Sequence, residues 1–341
     1  MSLIQKYELP DFKLGLYFMA YGNTLEFPLC TYIMCIINDS ADSPSSVSHS
    51  NHLSDREGVI ELSHTHGTED DADFKYSSGN LEPQGFGHVC VSVDNIQAAC
   101  NRLSDAGYKF QKRLEDGRMR NIAFVLDPDG YWVEIIGQNP VEETASVTTT
   151  DIKTYKMNHT MLRVKDKDVS IKYYQEVFGM SLIRVIGNKD AGFNLYFLGY
   201  GLPSEKDTLD REGLLELTWN YGTENKEGKV YHDGNAEPQG FGHICVSVDD
   251  LEAACQRFEE KGVTWQKRLM DGQFRIAFIL DPDGYVSVHC NDPIKTKRKM
   301  LTANPVGGDN SKREVQASTG TLLALTVRVI CCQGWQFGSG E

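Results

Sequence analysis

The stretch Glu82-Pro83-Gln84-Gly85-Phe86-Gly87-His88-Val89-Cys90-Val91-Ser92-Val93-Asp94 returns as Glu237-Pro238-Gln239-Gly240-Phe241-Gly242-His243-Ile244-Cys245-Val246-Ser247-Val248-Asp249, displaced by 243 − 88 = 155 residues. Asp55-Arg56-Glu57-Gly58 and Asp210-Arg211-Glu212-Gly213 share that displacement, as do Glu61-Leu62 and Glu216-Leu217. A match of this length is a tandem duplication, so the chain folds as two similar units. A length of 341 residues agrees, at about 100–200 residues per domain.

The copies differ at their edges. Met1-Ser2-Leu3-Ile4 matches Met180-Ser181-Leu182-Ile183, and Leu16-Tyr17-Phe18 matches Leu195-Tyr196-Phe197, both at a displacement of 179. Repeat one therefore has no counterpart of residues 158–179, and it carries 179 − 155 = 24 extra residues between Tyr21 and Asp55. These limits give a first repeat over 1–139 with an insertion near 22–54, a Thr-rich linker over 140–154 and a second repeat over 155–285. From Val286 the similarity stops, and 286–341 shows no helical or strand periodicity. We read it as a disordered tail or a gene-model artefact, because Val-Ser at the break can be encoded by a sequence matching a splice donor.

Within each repeat the pattern alternates strands with helices. His159-Thr160-Met161-Leu162-Arg163-Val164 alternates as a strand. Ile171, Tyr174 and Phe178 mark one face of a helix with Gly179 where a C-terminal cap belongs. Ile96, Ala99, Cys100 and Leu103 mark another, repeated by Leu251, Ala254, Cys255 and Phe258. Asp127-Pro128-Asp129-Gly130 is a turn between two strands.

Strand alternation also sorts the polar groups. Val89, Val91 and Val93 share one face and His88 lies on the other; Glu216, Thr218 and Asn220 lie opposite Leu215 and Leu217; His159 shares a face with Met161 and Arg163, and Glu134 with Trp132 and Ile136. One ionisable residue in a strand is usually solvated. Several His and Glu placed mid-strand and repeated by duplication favour metal ligation.

Composition narrows the function classes. With 48 acidic and 34 basic side chains, a net charge of −14 argues against nucleic acid or an anionic membrane as partner. The longest apolar run, Phe27 to Ile37, is shorter than the ~20 residues a membrane helix needs. The N-terminus has no signal-peptide hydrophobic region. Nine cysteines, an odd number without any Cys-x-x-Cys, argue against a disulfide scaffold or zinc-thiolate site and suit the cytoplasm.

Asn158-His159-Thr160-Met161-Leu162-Arg163-Val164-Lys165-Asp166, the run from Glu216 through Glu224, the two Glu-Pro-Gln-Gly-Phe-Gly-His segments and Asp127 through Ile135 together resemble glyoxalase I, lactoylglutathione lyase, in its fused two-repeat fungal and protist form. The resemblance covers about 1–26, 53–138 and 155–285. It implies an α+β fold of four tandem βαβββ modules in two curved mixed sheets, with each metal site between modules of different repeats. Carried over, one site is complete: His159 and Glu216 from repeat two, His88 and Glu134 from repeat one. The other retains Glu61 and His243; its first-strand ligand would precede Met1, and Val288 stands where its last Glu belongs. His289 faces away by alternation.

The reaction implied is isomerisation of the glutathione–methylglyoxal hemithioacetal to S-D-lactoylglutathione through an enediolate. Glu134 is the candidate base and Glu216 serves the opposite face. Two imidazoles and two carboxylates suit Zn²⁺, and Ni²⁺ fits the same donors. Glutathione is the cosubstrate, contacted by Arg163, Asn220, Lys112 and Met119; Gln84 replaces the family's frequent Arg and lacks its ion pair. The resemblance further implies a monomer with its repeats packed together. Two alternatives are a non-catalytic ligand-binding protein of the same superfold and an Fe(II) dioxygenase using two His and one carboxylate.

Overall fold

A computed structural model describes residues 1–21, 57–117, 119–201, 208–248, 250–271, 276–291 and 326–328. The insertion at 22–54 lies outside them, as does most of the tail. Repeat one supplies β1 (Ser2–Leu9), β2 (Leu14–Ala20), β3 (Ile60–Thr65), β4 (Phe86–Val93), α1 (Ile96–Asp105), β5 (Phe110–Lys112), β6 (Ile122–Leu126) and β7 (Trp132–Gly137), followed by the short α2 (Val141–Thr144). Repeat two supplies β8 (Lys156–Val164), α3 (Lys167–Phe178), β9 (Ser181–Asn188), β10 (Phe193–Gly199), β11 (Leu214–Asn220), β12 (His243–Val248), α4 (Leu251–Lys261), β13 (Thr264–Lys267), β14 (Ile276–Leu280) and β15 (Val286–Asn291). β16 (Thr326–Arg328) follows in the tail.

Local chemistry sets the helix ends. The Asn95 side chain accepts from the Ala98 N–H at the start of α1, and the Asp166 carboxylate accepts from the N–H groups of Asp168 and Val169 at the start of α3. Gly179 and Gly262 close α3 and α4 in the left-handed region, at φ 73° and 67°. Tyr174 and Phe178 are buried on α3, and Leu251 and Phe258 on α4, as the periodicity requires.

One sheet has eight strands, in the order β5-β6-β7-β4-β8-β11-β10-β9. It crosses from repeat one to repeat two where β4 pairs antiparallel with β8. The α+β fold of tandem βαβββ modules expected from the sequence is present, with one of its sheets in two pieces. Its second sheet is divided into a three-stranded piece, β1-β2-β3, and a five-stranded piece, β13-β14-β15-β12-β16. In the intact sheet β8 joins β4 to β11. Among the described residues no strand joins their counterparts β12 and β3 in this way. The two pieces instead share one apolar cluster, in which Leu14, Leu16 and Phe18 of β2 join Cys245, Phe278 and Val286.

Two short stretches of 286–341, a range read from sequence as lacking strand periodicity, are strands. β15 continues to Asn291, pairing parallel with β12 and antiparallel with β14. Backbone ladders do not depend on sequence identity, so β12 and β14 bind the divergent Val286-Ser287-Val288 backbone as β4 and β6 bind β7. β16 pairs antiparallel with β12 through Val246 and Val327.

A pseudo-twofold contact joins the repeats. Phe86 and Phe241 stack with centroids 4.7 Å apart and planes 7° apart. Around them the Ser77 N–H donates to the Gln239 carbonyl at 2.6 Å, and the His232 N–H to the Gln84 carbonyl at 2.8 Å. A Cβ at Gly85 would strike the His232 carbonyl oxygen, and one at Gly240 the Ser77 carbonyl oxygen. The two loops therefore need glycine there because their backbones touch.

Candidate active site

β4, β7, β8 and β11 lie side by side across the repeat boundary, so one face of the eight-stranded sheet presents side chains from both repeats. Register does the gathering: Cys90 sits opposite Glu134 on one side and His159 on the other. His88, Glu134, His159 and Glu216 each offer a ligand atom, all within 4.8 Å of one another. Nε2 of His159 lies 3.1 Å from an oxygen of Glu134, 3.1 Å from an oxygen of Glu216 and 3.3 Å from Nε2 of His88. The His88 Nε2 is 3.3 Å from the same Glu134 oxygen.

These groups are 2–6% exposed. Two carboxylates withdrawn so far from water need a cation nearby. Burial opposes the charge on Glu134, but His88 and His159 outweigh it and hold the carboxyl well below the usual range. Burial likewise works against an imidazolium at His159, and the Cys90 sulfur with the Glu134 and Glu216 carboxylates outweighs it, so its pKa is raised. The site is built to hold positive charge. Its donor set, two imidazoles and two carboxylates, fits a divalent ion such as Zn²⁺.

Supporting groups fix the ligand orientation. Nδ1 of His159 lies 2.7 Å from Oδ1 of Asn158, which makes Nδ1 the protonated nitrogen and leaves Nε2 free to ligate. The Asn158 amide in turn donates to the carbonyls of Thr208 and Arg211, at 2.8 Å each. Thr218 donates to Glu216 at 3.1 Å. Phe124 packs edge-on to His88 and Phe197 edge-on to His159, with centroids 5.3 and 5.4 Å away. Sequence reasoning missed Asn158, Cys90, Phe124 and Phe197 as parts of the site. Alternation could have placed Cys90 on the His88 face; the two rings carry no local signal.

The remaining candidates occupy varied places. The Arg163 guanidinium donates to the carbonyls of Gly79, Gly85 and Phe86 and to Oδ1 of Asn80, clamping the repeat-one loop. Burial lowers its pKa, opposed by charges that include Glu216. Lys112 donates to the carbonyls of Arg113, Met119 and Ile122 at 3.1, 2.7 and 2.7 Å. Burial lowers its pKa too, against nearby carboxylates that include Glu134. Asn220 donates to the Tyr231 hydroxyl at 2.8 Å, Met119 is exposed, and Gln84 lies in the inter-repeat loop, 3.4 Å from the Asn80 carbonyl.

Glu61 and His243 are both buried and 3.9 Å apart, too far for a hydrogen bond. Val288 stands opposite Cys245, as Glu134 stands opposite Cys90. Burial pushes His243 down to about 3, the reverse of His159. The Phe18–Phe278–Val286 cluster lies against this pair's strands.

A centre of His and Glu shared by two βαβββ modules from different repeats defines a class. The chain belongs to the Glyoxalase/Bleomycin resistance protein/Dioxygenase superfamily, which it matches over residues 22–135 and 156–287. Within that class it is 46% identical over 247 residues to the lactoylglutathione lyase of Schizosaccharomyces pombe, spanning 72% of this chain and 79% of that protein. It is 41% identical over 290 residues to the glyoxalase I of Saccharomyces cerevisiae, spanning 84% of this chain and 83% of that protein. The fold is shared with a crystal structure of glyoxalase I from Zea mays, at 23% identity and a TM-score of 0.56, covering 88% of this chain and 86% of that one.

Proposed function

We propose that the chain is a glyoxalase I working at one centre assembled from both repeats, converting the glutathione–methylglyoxal hemithioacetal to S-D-lactoylglutathione. The observation that carries this is the convergence of His88, Glu134, His159 and Glu216 in a chain 46% identical to a lactoylglutathione lyase.

A divalent ion held by these four residues would supply Lewis acidity to the substrate oxygens. Glu134 acts as base, taking the proton from the carbon next to the carbonyl and returning it to the neighbouring carbon. Glu216 sits on the other side of His159 and serves the opposite face. Asn158 keeps His159 in the ligating tautomer, and Phe124 and Phe197 exclude water from the reacting atoms. Arg163 and Lys112 place positive charge beside the centre of a chain whose net charge is −14, which suits the two carboxylates of glutathione. Asn220, Met119 and Gln84 complete the proposed glutathione contacts.

Zn²⁺ is the proposed metal, because the reaction needs no redox change; Ni²⁺ is the alternative for the same donors. Two carboxylates in the cluster favour this reading over a dioxygenase with one. The chain works as a monomer, since both halves of the centre come from one chain. It works in the cytoplasm, which suits the free thiols of Cys90, Cys100, Cys245 and Cys255; no described helix is long and apolar enough to cross a membrane. Glu61 and His243 are a remnant pair without turnover. The proposal is tested by loading purified protein with Zn²⁺ or Ni²⁺, adding methylglyoxal and glutathione, and following thioester absorbance. Absence of thioester from folded, metal-loaded protein overturns it.

A further inference from the structure

On the three-stranded sheet, away from Glu61 and His243, four potential metal ligands meet in two pairs. Nε2 of His64 lies 2.9 Å from an oxygen of Glu69, and Nε2 of His66 lies 3.1 Å from an oxygen of Glu8. The two imidazoles are two residues apart in sequence, with ring centroids 5.6 Å apart. His64 on β3 and Glu8 on β1 both stand opposite Gly15 in the middle strand. Gly15 has no side chain, and a Cβ there would come within 3.3 Å of the Glu8 carboxylate. That gap lets Glu8 reach across β2 to His66.

The duplication provides an internal comparison. At the displacements of 179 and 155, Glu8 corresponds to Gly187, Gly15 to Asn194, His64 to Trp219 and His66 to Tyr221, while Glu69 corresponds to Glu224. In repeat two these positions form a hydrogen-bonded patch: Trp219 donates to Glu224 at 3.0 Å, and Tyr221 donates to Asn194 at 2.8 Å. Repeat one has a ligand at three positions where repeat two has none, and it keeps the shared glutamate.

We propose that His64, His66, Glu69 and Glu8 form a second, surface site for a divalent transition-metal ion such as Zn²⁺, confined to repeat one and separate from the centre at His88. Each imidazole already faces a carboxylate, so a shared ion would replace two separate pairings. Two neutral imidazoles and two carboxylates match the charge and borderline character of such an ion. Lys6, 2.6 Å from the other oxygen of Glu8, opposes the ion's charge and makes this the weaker of the two sites.

The test is equilibrium dialysis of the full chain against Zn²⁺ at about pH 7.5, with bound metal counted per chain. Wild type takes up one more equivalent than His64→Trp/His66→Tyr, which imports the residues repeat two carries at the same positions. His64→Asn/His66→Asn, which adds no bulk, loses the same equivalent and serves if the larger residues do not fit. Thioester formation is unchanged in whichever variant folds. Equal metal uptake by wild type and the folded variant overturns the proposal.

Discussion

Replacing Glu134 by Gln keeps the side chain's size and removes its charge and basicity. The residue sits on β7, 6% exposed, with one carboxylate oxygen 3.1 Å from His159 and 3.3 Å from His88. A positioned general base contributes about 10²–10⁴ in rate, equivalent to roughly 3–5 kcal/mol of barrier. Glu134→Gln is therefore expected to lower kcat by at least two orders of magnitude. Counting metal bound to the variant separates the two roles of Glu134: turnover lost with metal retained identifies a lost base, and turnover restored by excess metal identifies a lost ligand. Glu61→Gln, at a position also 6% exposed, is expected to leave kcat within about twofold, because Glu61 lies on β3, outside the cluster of His88, Glu134, His159 and Glu216. The assay is initial thioester formation at saturating hemithioacetal. Equal losses in Glu134→Gln and Glu61→Gln would refute the assignment of turnover to the shared centre.

Three further outcomes follow. Asn158→Ala frees the His159 tautomer and is expected to weaken metal binding by about 10–100-fold, measured by competition with a chromophoric chelator. Tyr174→Phe removes the 2.8 Å bond to Asp281, whose pKa burial raises to about 7; a loss of about 1–3 kcal/mol is expected in urea unfolding. His243 is held down to about 3 by burial, against an ordinary value near 6.5, so the unfolded chain binds its proton first. Its contribution is intact above about pH 6.5 and turns unfavourable as pH falls toward 3, by about 1.4 kcal/mol per unit. The stability of wild type relative to His243→Gln should fall across that window; a flat difference would contradict a neutral, buried imidazole.

Much of the centre was legible because duplication and strand alternation act together. The repeat pairs His88 with His243 and Glu61 with Glu216, and alternation puts His88 opposite the valine face. Neither reveals what a side chain meets across the repeat boundary. Arg163 reads as a glutathione contact on the strand face of His159, and the sequence gives no sign that in the fold its guanidinium clamps the loop from Gly79 to Phe86. Lys112 similarly holds its own loop through three carbonyls. The abrupt divergence at Val286 hid β15, because a strand between two ladder partners needs alternating β-compatible residues rather than the family's own. The division of the second sheet was foreshadowed by the repeat edges, but the packing of β2 against β12, β14 and β15 that accompanies it depends on contacts distant in sequence.

The central claim is that one metal centre, shared by both repeats, turns over the hemithioacetal. It is tested most directly by stripping the purified chain of metal, restoring Zn²⁺ or Ni²⁺ stepwise and measuring thioester formation at each step in wild type and in His88→Ala. Activity that is absent without metal, returns on its addition and never appears in His88→Ala is the expected result. Full activity in the stripped protein, or in a folded His88→Ala variant, would contradict it.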